Sequence, residues 1–262
     1  MRCLIGFFGL TRSLRRTAES IRVGFYEPLR EFGIPVIRVG HFNLPAKIDN
    51  PRSSEFDITP DRNESALLEL DLCWVEPQDS RSVANELAAV RRFPDSFQDE
   101  YRSLENLCHQ LHSLARLWSL LELQGVDDND LILLLRPDLL YLDVLNPATQ
   151  LQALADGSAD LIVPGWQSWG GLNDRFAFCT GRAARIYATR IRSFQVSCQT
   201  MGGMHPEIFL KLVIKGHGLR VAHTLFRAVR LRANGQIAAN DIPMTKEFLS
   251  ASQVAREKAV AA

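Results

Sequence analysis

The stretch that most constrains the fold is Leu131-Ile-Leu-Leu-Leu-Arg136-Pro-Asp138-Leu-Leu-Tyr141-Leu-Asp143. Five consecutive apolar residues follow the acidic run Asp127-Asp128-Asn129-Asp130 and end at Arg136-Pro137-Asp138. A short apolar run between polar turns predicts a strand covered on both faces, as at the centre of an α/β sheet. Pro137 has no N–H to give to a ladder, so the strand stops there. Arg136 and Asp138 then stand at the carboxyl end of a central strand, where open α/β sheets bind ligands. A guanidinium suits phosphate or carboxylate, and a carboxylate suits a metal or a sugar hydroxyl. The alternative from the same residues is a purely structural Arg–Asp pair.

The rest of the chain supplies matching βα units. Cys3 to Phe8 is a second buried-strand candidate, and Gly9-Leu-Thr-Arg-Ser13 turns into a helix that Ser13 can cap. Leu14, Ala18, Ile21, Phe25 and Leu29 keep near-helical spacing, Gly33 ends the helix, and Ile34 to Val39 returns as a strand. A β–α–β order of this kind implies a parallel pair. Gly9, Thr11, Arg12 and Ser13 lie at a helix N-terminus that can meet a phosphate or a base edge, although any βα unit needs such a turn. Gly40 to Arg62 reads as a polar excursion at the rim, Glu64 to Leu70 as a short helix, Leu72 to Val75 as a strand and Ser80 to Arg92 as a helix. The longest helical pattern runs from Asp99 to Gln124, with Leu104, Leu107, Leu111, Leu114, Trp118 and Leu121 on one stripe and Gly125 closing it. Gln110, His112 and Ser113 ride on it, facing either solvent or a site.

Beyond the central strand, Asn146 to Asp156 is a short helix and Ala159 to Pro164 a strand. Trp166-Gln-Ser-Trp169-Gly170-Gly171-Leu-Asn173-Asp174-Arg175 is too apolar and too glycine-rich for a plain solvent loop. Glycines allow close approach to a ligand, and tryptophans offer flat walls that stack on sugar rings. The bland alternative is a packed turn with Asp174 capping or pairing Arg175. Gly181 to Phe194 is a helix. His205-Pro206-Glu207 opens another, Ile208 to Lys215, where Pro206 and Glu207 suit the first turn and His205 is a metal ligand or proton carrier. Leu219 to Thr224 and Leu225 to Leu231 are closing strands, and residues 246–262 a polar helical or disordered tail.

Composition narrows the partners. Thirty basic and thirty acidic side chains cancel, so no global field draws the chain to nucleic acid, and an anionic ligand must be met locally. A hydrophobic content of 46% fits a globular protein. Cys3, Cys73, Cys108, Cys179 and Cys198 lack CxxC spacing and read as buried thiols of a reducing, cytoplasmic compartment. No run approaches the ~20 apolar residues of a membrane span, which leaves peripheral membrane association open.

Taken in order, Phe8-Gly-Leu-Thr-Arg-Ser13, Asn106 to Leu114, Arg136-Pro-Asp-Leu-Leu-Tyr141, Trp169 to Ala177 and His205-Pro-Glu207 resemble bacterial proteins akin to GT-A-type glycosyltransferases of lipopolysaccharide and capsule biosynthesis. The resemblance covers most of residues 1–230. It implies a single GT-A-like α/β domain over 1–245, with a mostly parallel central sheet flanked by helices. Residues 1–130 would be a nucleotide-binding half and 131–245 a metal and acceptor half. It implies transfer of a sugar from a nucleotide-diphosphate sugar to a hydroxyl of a glycan or glycolipid. The donor side would be Gly9, Thr11, Arg12, Ser13, Gln110, Ser113, Arg136 and Asp138; the acceptor side, Trp169, Gly170, Gly171, Asn173, Arg175 and Glu207. Asp174 would be the general base.

Such enzymes usually hold Mg²⁺ or Mn²⁺ through Asp-x-Asp, and here the motif is Arg136-Pro-Asp138, with the next carboxylate at Asp143. Either Asp138 binds metal with His205 or Glu207, or Arg136 neutralises the diphosphate without metal. A degenerate nucleotide- or glycan-binding protein and a sugar-phosphate nucleotidyltransferase are the competing functions. The latter usually carries a longer glycine-rich basic loop after its first strand.

Overall fold

Cys3–Gly9 and Leu131–Leu135 are apolar at successive positions, so neither can leave a face to solvent, and they lie side by side in the middle of the sheet. A computed structural model describes residues 2–245; the expected tail at 246–262 lies outside the described residues. Among the described residues eleven strands follow in chain order: β1 (Cys3–Gly9), β2 (Val36–Leu44), β3 (Ile48–Asn50), β4 (Glu55–Ile58), β5 (Leu72–Pro77), β6 (Leu131–Leu135), β7 (Leu139–Tyr141), β8 (Leu161–Pro164), β9 (Ala177–Thr180), β10 (Val221–Thr224) and β11 (Ala228–Arg230). Seven of these described strands form one sheet, ordered β10-β8-β9-β6-β1-β2-β5. β5, β2, β1 and β6 are mutually parallel, β8 and β10 are parallel, and β9 runs antiparallel between β6 and β8. The chain is thus α/β, a single domain with a mostly parallel central sheet flanked by helices, as the sequence predicts.

Alternation along each strand divides the core between the two faces. Ile5, Phe7, Leu133 and Leu135 pack with Phe25, Phe178 and Phe226 on one side. Leu4, Phe8, Ile132 and Leu134 pack with Leu114, Leu117, Trp118, Leu121 and Tyr187 on the other. The long helix Arg102–Glu122 covers that second face with the leucine stripe expected of it, and Gly125 closes it in a left-handed conformation. A third cluster joins this helix to Ala84–Val90, Phe194–Met201 and Pro206–Gly216.

Several expectations are corrected. β2 continues through Gly40–Leu44, which had the polarity of a rim loop, because its polar residues find buried partners. His41 Nδ1 lies 2.9 Å from Ser113 Oγ, and Asn43 Nδ2 donates to His109 O at 2.9 Å. The excursion beyond it is not featureless: β3 and β4 pair as a hairpin. Ser13 stands at the helix start but makes no side-chain cap; its hydroxyl donates to Leu231 O at 3.1 Å. Leu225 to Leu231 does not extend the main sheet, since β11 pairs antiparallel with β7. Cys73 is exposed on edge strand β5, while the other four cysteines are buried.

Phe25 anchors the aromatic cluster, with ring centroids 4.8 Å from Tyr141, 5.3 Å from Phe226 and 6.2 Å from Phe178. It is fully buried. Phe25→Ala should lower the unfolding free energy by about 3–5 kcal/mol, read from urea denaturation. A loss within ~0.5 kcal/mol of zero would mean the cluster collapses around the gap or contributes little.

Candidate functional site

The carboxyl ends of β1, β2 and β6 and the entry to β9 meet at one cavity of about 660 Å³, within the range of small-molecule sites. The antiparallel setting of β9 explains why Asp174 is there. Its register pairs Ala177 with Leu134, so the residues entering β9 arrive where β6 ends, beside Arg136. Short bonds pin that strand end. Thr17 Oγ1 donates to Pro137 O at 2.6 Å, Tyr141 OH to Arg136 O at 3.2 Å, and Leu231 N–H to Asp138 O at 2.9 Å.

Asp138 is 2% exposed and held by two arginines. Arg136 donates to both of its oxygens, at 2.9 and 2.8 Å, and Arg12 donates to Oδ2 at 2.7 Å. Burial alone would push the Asp138 pKa up, but Arg136 and Arg12 outweigh it and hold it well below the usual carboxylate range. A polar chain leads on from there. Arg136 Nη1 donates to Gln110 Oε1 at 2.8 Å, Gln110 Nε2 to Asp174 Oδ2 at 3.4 Å, and Arg190 Nη2 lies 3.7 Å from that same oxygen. Gln110 therefore meets both charges, accepting a hydrogen bond from the guanidinium and donating one to the carboxylate.

His205 Nδ1 and Glu207 Oε2 are 3.2 Å apart at the start of helix Pro206–Gly216. Burial, reinforced by the charge of Asp174, raises the Glu207 pKa to about 7. Burial lowers that of His205 against the pull of Asp174. Trp169 lies at the rim of the cavity, 56% exposed with a left-handed backbone.

Of the residues singled out in the sequence, Gly9, Arg12, Gln110, Arg136, Asp138, Trp169, Asp174, Arg175, His205 and Glu207 line this one cavity. The others have structural roles instead. Thr11 is buried and its carbonyl accepts from Leu14 N–H. Ser13 reaches Leu231. Ser113 is fully buried and accepts from Gly9 N–H at 2.9 Å, so it shapes the turn from below. Asn173 bonds Trp166 O and Arg175 N. Gly170 O accepts from Lys211, and Gly171 lies so close to Glu207 that a Cβ would overlap the Glu207 carbonyl.

Three groups escaped the sequence reading. Arg230 and Arg232 line the cavity, and buried Asp241 accepts from Arg230 and Arg175. The signal was present in Arg230-Leu-Arg232, since period-two spacing on a strand puts both arginines on one face. The β3–β4 hairpin contributes Ile48, Asp49 and Asn50, and buried Glu55 of β4 ties it to Arg12 at 3.3 Å.

Asp138, the expected metal ligand, does not fit Mg²⁺ or Mn²⁺. Both Asp138 oxygens are committed to guanidinium groups. Among the described residues no three His, Cys, Asp or Glu side chains gather in a way that could hold a metal ion, so Asp138 and His205 belong to no such cluster. A hard divalent ion can be held through one or two carboxylates with phosphates and water, but Asp138 has no uncommitted oxygen to give it.

No protein-family model and no curated protein matches the chain. Among solved structures it is similar to the galactosyltransferase LgtC in complex with donor and acceptor sugar analogs, at 14% identity over 85% of this chain and 73% of that one, with a TM-score of 0.44. An active-site mutant of LgtC gives 14% identity, 85% and 72% coverage and a TM-score of 0.46. Mouse xyloside xylosyltransferase 1 in its apo form gives 14%, 85% and 84%, with a TM-score of 0.37. Likeness at this level is too loose to assign an activity.

Glu207 carries a pH signature. Its folded-state pKa of about 7 exceeds the ordinary 4.5, so between these values the folded protein keeps a proton that the unfolded chain has lost. Stability from this group therefore falls as pH rises through that window. Glu207→Gln cannot ionise and lacks this slope. Its unfolding free energy relative to wild type should rise by on the order of 2 kcal/mol from pH 4.5 to pH 8. Parallel pH–stability curves for the two proteins would show that Glu207 titrates normally.

Proposed function

We propose that the protein is a GT-A-type glycosyltransferase that moves a sugar from a nucleotide-diphosphate donor to a hydroxyl of a glycan or glycolipid. One observation carries this reading: a strand-end cavity of about 660 Å³ lined by both an arginine-rich group, Arg12, Arg136, Arg230 and Arg232, and the carboxyl pair Asp174 and Glu207. Group transfer from a diphosphate needs these two things together, cations for the leaving anion and a base for the incoming hydroxyl. The resemblance of the site motifs to lipopolysaccharide and capsule enzymes supports a role in bacterial surface-polysaccharide synthesis. A cytoplasmic setting agrees with the thiols, all of them free. Among the described residues no helix is long and apolar enough to cross a membrane, so a lipid-linked acceptor would be met at the membrane surface.

In this reading residues 1–130 bring the Gly9 turn, Arg12 and Gln110 to the donor, and residues 131–245 bring the acceptor wall. Trp169 offers a face for the acceptor sugar. Asp174, paired with Arg190 and steadied by Gln110, takes the proton from the attacking hydroxyl. Glu207, half-protonated near pH 7, donates to or accepts from a neighbouring sugar hydroxyl. Arg136 and Arg12 stabilise the charge that develops on the departing diphosphate. A second reading, a nucleotide or glycan binder without turnover, is favoured by the engagement of Asp138 with two arginines in place of an Asp-x-Asp metal site.

The test is a panel of nucleotide-diphosphate sugars with simple glycoside acceptors, with and without Mn²⁺, following nucleoside diphosphate release and the mass of the glycoside. Transfer from one donor supports the enzyme. Binding of a nucleotide in thermal shift with no transfer from any donor points to the binder. Once a donor is found, Asp174→Asn should lower kcat and kcat/KM together by roughly 10²–10⁴-fold, with donor affinity nearly unchanged. Near-full activity in that variant would move the base to Glu207.

A further inference from the structure

One arginine group in the cavity holds more positive charge than the acids paired with it. Among the described residues, Arg12, Arg136, Arg175, Arg230 and Arg232 share the carboxylates of Glu55, Asp138 and Asp241. Within this ion-paired group, five guanidinium groups on three carboxylates leave an excess of two positive charges; the other acids of the lining, Asp49 and Glu207, make no ion pair with it, Glu207 facing His205 instead. Asp174 does not remove the excess, being matched by Arg190. The carboxylates are essentially buried, and Arg12 and Arg175 keep only 9% and 7% of their side chains exposed. Within this group Arg12 Nε, Arg175 Nη1 and Arg232 Nε are buried without a hydrogen-bond partner. The Arg232 guanidinium meets an acid only at a distance, Glu55 at 4.0 Å. Burial, together with the charges of Arg12 and Arg230, brings its pKa down to about 10. Burial and Arg230 do the same to Arg175.

A buried surplus of this kind is costly unless a counter-charge arrives, and spare N–H groups there are acceptor-seeking. Both Arg12 and Arg232 line the cavity, beside the open Gly9 turn, whose left-handed glycine has no atom within 4 Å of where a Cβ would stand. We propose that this arginine group binds the diphosphate of the donor directly, its two surplus charges matching the two phosphate charges, and that no divalent ion takes part. The proposal rests on the transferase reading for the identity of the ligand, but the anion site stands on the unpartnered guanidinium nitrogens and the charge of their group. A diphosphate diester carries one negative charge on each phosphate. Guanidinium forks grip such oxygens in pairs. In this arrangement Asp138 is the clamp that holds Arg12 and Arg136 in place rather than a ligand, which accounts for its burial and for both of its oxygens being occupied.

Inorganic pyrophosphate titrated into the full chain by calorimetry, first in EDTA and then with Mn²⁺, tests this. Pyrophosphate should bind in EDTA at least as tightly as with Mn²⁺. Arg232→Gln should weaken it by about tenfold or more without lowering the melting temperature of the free protein, because it relieves like-charge repulsion. Should that variant fold poorly, Arg232→Lys, which keeps the charge and loses the fork, should still weaken pyrophosphate binding, and unchanged binding in it counts against the site. Binding that appears only with Mn²⁺, or no binding in either buffer, overturns the proposal. The donor panel separates the two readings. Sugar transfer that strictly requires Mn²⁺ leaves the transferase standing and removes the metal-free site. Pyrophosphate binding in EDTA with no donor turned over leaves the anion site standing and removes the transferase.

Discussion

Asp138 is the joint on which the site turns. Its carboxylate accepts from Arg136 of its own strand end and from Arg12 of the turn that follows β1, so it ties the carboxyl ends of two neighbouring strands of the sheet together. A carboxylate buried to 2% exposure would ordinarily be protonated or leave. Two guanidinium groups reverse that preference. Removing either partner of such an arrangement leaves a buried charge without its mate, which is far more damaging than losing a surface ion pair. The surrounding bonds from Thr17, Tyr141 and Leu231 to the backbone of residues 136–138 serve the same end. They hold a proline-broken strand end rigid without ladder partners.

What the sequence shows and what it hides divide along a physical line. Strands β1 and β6 and the stripe of helix Arg102–Glu122 were legible because burial on both faces, or on one helical face, imposes a local pattern. The far half of β2 was not. His41 and Asn43 look like loop residues until Ser113 and the His109 carbonyl, more than sixty positions away, supply their partners. The order of the sheet, with β9 antiparallel between β6 and β8, is a long-range fact of the same sort, and it is what brings Asp174 to Arg136. Motif-based choices at the site fared according to side-chain size. Arg12, Arg136, Asp138, Asp174 and Glu207 reach the cavity, whereas the small residues chosen with them, Thr11, Ser13, Ser113 and Asn173, are consumed by backbone bonds behind it.

The charge layout of the cavity then has an internal logic that follows from Gln110. An amide can accept from a guanidinium on one end and donate to a carboxylate on the other. Placed between Arg136 and Asp174, it keeps the two from collapsing into a direct ion pair. Such a pair would neutralise both groups, withdrawing Arg136 from the arginine cluster and Asp174 from any incoming hydroxyl. The acidic residues lie on the same side: Asp174 is matched by Arg190, while burial, reinforced by the charge of Asp174, raises the pKa of Glu207 beside His205. One cavity thereby holds an arginine group and a pair of carboxyls, with the amide of Gln110 bonded to both Arg136 and Asp174.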